Sequence, residues 1–157
     1  MKFILLFSLL SLTACSSPAP RTSAGSAGVS GNAARSNLTD YAQSLLGIPY
    51  RYGGNNPDSG FDCSGFVIHV YRHTLGIELP RSSTNMSHRG RAIGRDALRA
   101  CDLVFFNTQH HKFSHVGIYL GGNNFIHSPS SGGNVRIDDL NNSYWRRNYN
   151  GARRISD

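Results

Sequence analysis

The chain has 157 residues, 39% of them hydrophobic, which allows one domain of ordinary size and leaves no room for a second of that size. Sixteen basic residues against nine acidic give a net charge of +7, which favours an anionic partner. The N-terminus excludes nucleic acid as that partner, because it reads as an export signal. Lys2 is the only charge before the apolar run from Phe3 to Leu12, interrupted only by Ser8 and Ser11. A charged start followed by a short apolar stretch is a secretory signal, too short to span a bilayer as a mature helix. Residues 1–14 are therefore expected to be removed.

Leu12-Thr13-Ala14-Cys15 has the pattern of a bacterial lipobox: a bulky apolar residue, two small ones, then cysteine. That resemblance implies cleavage before Cys15, a diacylglyceryl group on its thiol and acylation of its new amine. Each buried CH₂ contributes about 0.8 kcal/mol, so two or more chains on one residue anchor stably. Position 16 is Ser rather than Asp, which by the same resemblance directs the protein to the outer membrane, facing the periplasm. Removing residues 1–14 takes away one lysine and leaves 15 basic residues against 9 acidic. Residues 15–36, rich in Ser, Ala, Gly and Asn, read as the lipidated cysteine and a flexible tether. Residues 37–157 are the folded domain, with no internal repeat and no second linker.

Within that domain the spacing predicts a short helix over 38–46, capped by Asn37 or Thr39 and ended by Gly47. Residues 48–60 are extended and turn-rich. Cys63, Phe66, Val67, Val70 and Tyr71 follow helical spacing, so a central helix is predicted from Cys63 to about Leu75, with Asp62 as N-cap and Gly76 as stop. A second short helix is expected over 82–88 and a helical turn over 95–99. The character then changes. Leu103–Phe106, His115–Leu120 and Asn124–His127 read as strands, the last two a hairpin about Gly121-Gly122-Asn123. Residues 134–137 read as a fourth strand and 151–155 as a short edge strand. Helices followed by an antiparallel sheet of about five strands make an α+β domain.

A cysteine nucleophile needs a thiolate, a base to hold its proton, and donors for the oxyanion. Cys63 opens a helix, where N–H groups and the dipole are expected to lower a thiol pKa. The N–H groups of Cys63 and Ser64 are candidate oxyanion donors, and Gly65 permits a close approach. His115 starts one strand of the hairpin and His127 ends the other, so the two imidazoles are expected side by side, one as base and one orienting it. His110, His111 and His115 lack an acidic or cysteine companion for a metal site, so no metal or cofactor is expected. His69, His73 and His88 read as helix-surface residues.

The segments Pro49–Gly54, Asp62–Phe66, Leu79–Ser82, Asp102–Phe106, Ser114–Tyr119 and Phe125–His127 together resemble the NlpC/P60 family of cell-wall peptidases, with a papain-like fold. They occur in family order and span nearly the whole domain. The likeness is greatest to small Gram-negative lipoprotein endopeptidases without an extra wall-binding domain. It implies Cys63 as nucleophile, His115 as general base and acid, and His127 as the orienting third residue. It places Tyr50 near the nucleophile and makes Asp62, Ser64 and Arg81 candidates for holding charged ends of a peptide stem. The implied partner is the peptide part of peptidoglycan, cut by a monomeric enzyme at the D-alanyl–diaminopimelate crosslink or, second, at the γ-D-glutamyl–diaminopimelate bond. Two alternatives are a wall-binding tether without catalysis and a papain-like acyltransferase. The family usually has Gly where this chain has Cys101. If that position needs a positive φ, a side chain there costs about 1 kcal/mol or more. A Cys63–Cys101 disulfide would silence the enzyme.

Overall fold

The computed structural model describes residues 26–131 and 133–156, so the signal segment, Cys15 and the tether as far as residue 25 lie outside the described residues. Helix α1 (Ser26–Ser44) begins well ahead of the expected Leu38. Asn37 and Thr39 therefore sit inside a helix rather than capping one. The Thr39 hydroxyl donates back to the carbonyls of Arg35 and Ser36, which is how a threonine is accommodated in mid-helix. Residues 26–36 were expected to be tether. Their helix is extended by Ala33, Ala34 and Arg35, all strong helix formers, and is fixed downstream by burial of Leu38, Ala42 and Leu45.

Residues read as loop contain the two-stranded pair β1 (Asn55–Asn56) and β2 (Gly60–Phe61). The central helix α2 (Cys63–Leu75) runs as expected. Asp62 caps it by accepting the Gly65 N–H at 2.7 Å, and Gly76 closes it with φ 66°. Helix α3 (Ser83–Met86) is capped by Ser82. Strand β3 (Arg91–Ile93) follows, then a 3-10 turn over Arg95–Ala97. Next come β4 (Leu103–Phe106), β5 (His115–Gly121), β6 (Asn124–His127), β7 (Arg136–Asp139), α4 (Ser143–Asn148) and β8 (Tyr149–Arg154).

The large sheet is antiparallel with six strands in the order β3-β8-β4-β5-β6-β7. Strand β8 is thus interior, not the short edge strand expected over 151–155. Arg154 is accommodated there because Nε and a terminal nitrogen grip the buried Asp102 carboxylate, each at 2.7 Å. A two-point charge-assisted contact offsets part of the burial of both charges and ties β4 to β8. Strand β3 was too short and too charged to read, and α4 was not foreseen.

Strand β4 explains the layering. Its four residues are all fully buried, with alternate side chains entering two cores. Leu103 and Phe105 pack with α1 and α2 through Leu38, Phe66, Val67 and Val70. Val104 and Phe106 pack on the other face with Phe125, Leu140 and Trp145. His69 is not a surface residue. It is half-buried between α2 and α1, hydrogen-bonded to the Tyr41 hydroxyl at 2.9 Å.

Cys101 has φ 75°, the left-handed conformation that favours glycine, so the side chain there carries the backbone cost raised above. Its thiol contacts the Arg35 carbonyl and lines a small cavity with Leu75, at the C-terminal end of α2. Cys63 is at the other end of that 13-residue helix, which is about 18 Å long. Both thiols are free, and a disulfide needs Cα atoms within about 7 Å, so the bridge is not available to this fold.

Gly65 fixes how the helix start meets the preceding loop. A Cβ there would lie 2.0 Å from the Gly54 carbonyl oxygen and 3.1 Å from the Asn55 Cα, both backbone atoms. Gly65→Ala is expected to destabilise the protein by about 1–3 kcal/mol through forced separation of loop and helix. A lower thermal midpoint checks this; an unchanged midpoint would mean that the approach is not tight.

Candidate active site

The site forms where the start of α2 meets the start of β5. Cys63 is half-buried, and the backbone N–H groups of Val116 and Ser64 lie close enough to its sulfur to favour the thiolate. The helix-dipole expectation of a lowered thiol pKa is nevertheless reversed. Burial, with the Asp62 carboxylate adding to it, pushes Cys63 up to about 11, and the two N–H groups only partly oppose this. The free thiol is therefore protonated at neutral pH, and a base must take its proton as it attacks.

The hairpin brings the histidines together as its turn implied. His115 Nε2 and His127 Nδ1 are 2.8 Å apart, with the rings edge to face. Gly117 makes room for this, since a Cβ there would stand 3.1 Å from His127 Cβ and 2.9 Å from the Ile126 carbonyl oxygen. Both imidazoles are buried, at 2% and 0% exposure. That burial holds His115 well below the usual histidine value, and His127 below it too.

The chain of contacts runs one member further than sequence reasoning found. His127 Nε2 lies 2.9 Å from Asp138 Oδ2, which also accepts from Trp145 Nε1 at 3.0 Å and Arg136 Nε at 3.1 Å. Hydrogen bonding from His127 is foremost in lowering the Asp138 pKa to about 2. An ionised carboxylate only accepts, so it fixes proton positions along the row. His127 carries its proton on Nε2 and accepts at Nδ1; His115 then donates from Nε2 and keeps its lone pair on Nδ1. Asp138 carries little signal in the sequence, because only the pairing of β6 with β7 sets it diagonal to His127. Trp145, stacked 5.7 Å from His115, comes from the unforeseen α4.

On the Cys63 side, a groove of about 480 Å³ is lined by Tyr50, Asp62, Cys63, Ser64 and Arg81 among others. The Arg81 guanidinium donates to both Asp62 oxygens at 3.0 and 2.6 Å and to Ser64 Oγ at 2.7 Å. Asp62 further accepts from Ser64 Oγ and from the Gly53 and Gly65 N–H groups. These three candidates thus form one rigid polar wall. The Tyr50 hydroxyl makes no hydrogen bond among the described residues, and burial with the neighbouring Cys63 raises its pKa. His111 lines the groove from an exposed loop, and no cluster of three metal-ligating side chains occurs among the described residues.

The sequence matches the NlpC/P60 family over residues 47–154. It is 45% identical over 113 residues to the murein DD-endopeptidase MepH of Escherichia coli (strain K12), covering 70% of this chain and 42% of that protein. It is 41% identical over 121 residues to the murein DD-endopeptidase MepS/murein LD-carboxypeptidase of the same organism, covering 77% of this chain and 63% of that one. The chain thus spans less than two thirds of either relative. The crystal structure of an NlpC/P60 family protein from Bacillus cereus ATCC 10987 has the same fold, with a TM-score of 0.71 at 38% identity, covering 77% of this chain and 40% of that one. A match running from Gly47 to Arg154 takes in every residue of the Cys63 groove and of the histidine row, and the chain belongs to the NlpC/P60 family.

Proposed function

We propose that this protein is a cysteine-type murein endopeptidase that cuts peptide crosslinks of peptidoglycan. The observation that carries the reading is the hydrogen-bonded row His115–His127–Asp138 at the start of β5, with Cys63 at the N-terminus of the helix that packs on that strand. The curated relatives, named as murein DD-endopeptidases, supply the substrate class.

In this mechanism His115 Nδ1 takes the Cys63 proton as the sulfur attacks the carbonyl carbon. The first N–H groups of a helix have no partner within it, so the Cys63 N–H is free to meet the oxyanion, with the Tyr50 hydroxyl as a second donor. His115 then delivers the proton to the departing amine, and water, activated by the same imidazole, releases the acyl group. Asp62, Ser64 and Arg81 hold polar ends of the stem. The preferred bond is D-alanyl–diaminopimelate, with γ-D-glutamyl–diaminopimelate second. Acylation at Cys15 would hold the enzyme on the outer membrane, within reach of the wall.

The test is incubation of the full-length protein, in detergent, with purified crosslinked muropeptides, followed by mass spectrometry. Monomers whose combined mass exceeds the dimer by one water are expected. Dimers that stay intact while bound to the protein would replace this reading with that of a wall tether.

A further inference from the structure

Cys63 and His115 open onto different spaces. The Cys63 groove does not include His115, which instead lines a second cavity of about 470 Å³ together with Arg136, Asp138, Asn142, Tyr144 and Trp145. Proton chemistry assigns the two spaces. In acylation the Cys63 sulfur–carbon bond forms and the carbon–nitrogen bond breaks. The proton that left the thiol passes through His115 to the departing nitrogen. The acyl half stays on Cys63 in its groove. The amine half must lie within hydrogen-bond reach of His115, at the mouth of the second cavity.

The wall of that cavity carries a guanidinium with open donors. Arg136 is held to Asp138 through Nε alone, is 48% exposed, and its two terminal nitrogens make no hydrogen bond among the described residues. Asp138 is the acid facing it, and three N–H donors on Oδ2 already meet that charge. A planar pair of N–H groups anchored from behind matches a carboxylate in geometry and charge. We infer that the second cavity receives the amine-bearing half of the substrate and that Arg136 recognises a free carboxylate on the carbon bearing the leaving amine.

This rests on the endopeptidase reading and sharpens it. At the D-alanyl–diaminopimelate crosslink, the carbon bearing the leaving amine carries a free carboxylate. At the γ-D-glutamyl–diaminopimelate bond of a longer stem, the corresponding carboxyl is tied up in the next peptide bond. Arg136 would therefore select the crosslink.

The experiment compares full-length wild type and Arg136→Gln on two crosslinked dimers that differ only in whether this carboxylate is free or amidated. Wild type is expected to prefer the free acid in kcat/KM by about tenfold or more, the scale of one charge-assisted contact. Arg136→Gln also gives up the hold on Asp138 and so slows both dimers, but it should level the two by slowing the free-acid dimer about tenfold more than the amidated one. A preference that survives the substitution, or an equal loss on both dimers, overturns the inference. If wild type cuts neither dimer, the endopeptidase reading falls and the cavity is tested by calorimetry with the free-acid and amidated monomers. Tighter binding of the free acid, lost in Arg136→Gln, supports the inference; equal binding or none overturns it.

Discussion

Cys63→Ala is expected to abolish turnover of crosslinked muropeptides, a fall of about 10⁴-fold or more, with the thermal midpoint little changed. The size follows from the chemistry: without the thiol no acyl-enzyme forms, and positioning plus oxyanion donors are all that remain. The half-buried thiol is small, so its truncation to a methyl leaves the packing of α2 largely intact. The same residue makes a second, finer result predictable. Because burial pushes the Cys63 thiol up to about 11, and holds His115 low, the resting pair at neutral pH is uncharged. Alkylation of Cys63 by iodoacetamide should therefore keep rising well above pH 9, as thiolate accumulates. A plateau reached by pH 7 would show a resting thiolate–imidazolium pair and would contradict the base-assisted attack described above. Residual muropeptide turnover in Cys63→Ala within tenfold of wild type would remove Cys63 from the chemistry altogether.

Where sequence and structure agree, local chemistry decides the outcome. The start of α2 was legible because Asp62 is a strong N-cap and Gly76 adopts the left-handed stop, and the β5–β6 hairpin because glycines and Asn123 mark its turn. The histidine pair followed directly from that hairpin. What was illegible depends on distant partners. The place of β8 inside the sheet requires a buried mate for Arg154, and Asp102 is 52 residues away in sequence. The early start of α1 rests on Leu38 and Ala42 docking against α2, which no local pattern in a Ser/Ala/Gly stretch announces. The thiol pKa was misjudged for a related reason. A helix dipole can be read from sequence, whereas desolvation by burial in the folded domain cannot, and desolvation wins here.

Asp138 belongs to that second group, and its removal should leave a signature that a packing defect would not. Asp138→Ala is expected to lower kcat by about 10²-fold, because the row loses the acceptor that fixes its proton positions. His127→Ala, which cuts the row next to the base, should lower it by about 10³-fold. The pH profile separates the roles. The acid limb of kcat/KM reports protonation of the histidine pair, and burial places it below the usual histidine value of about 6.5. The negative charge on Asp138 favours the imidazolium form, so its loss lowers the imidazole pKa further and moves the acid limb to lower pH, even as the plateau falls. Asp138→Asn retains an acceptor for His127 without the charge. It should recover much of kcat, to about tenfold below wild type, while keeping the displaced limb. Recovery of kcat with the wild-type limb would mean that Asp138 acts only as a hydrogen-bonding spacer. An unmoved limb and full activity in Asp138→Ala would end the row at His127.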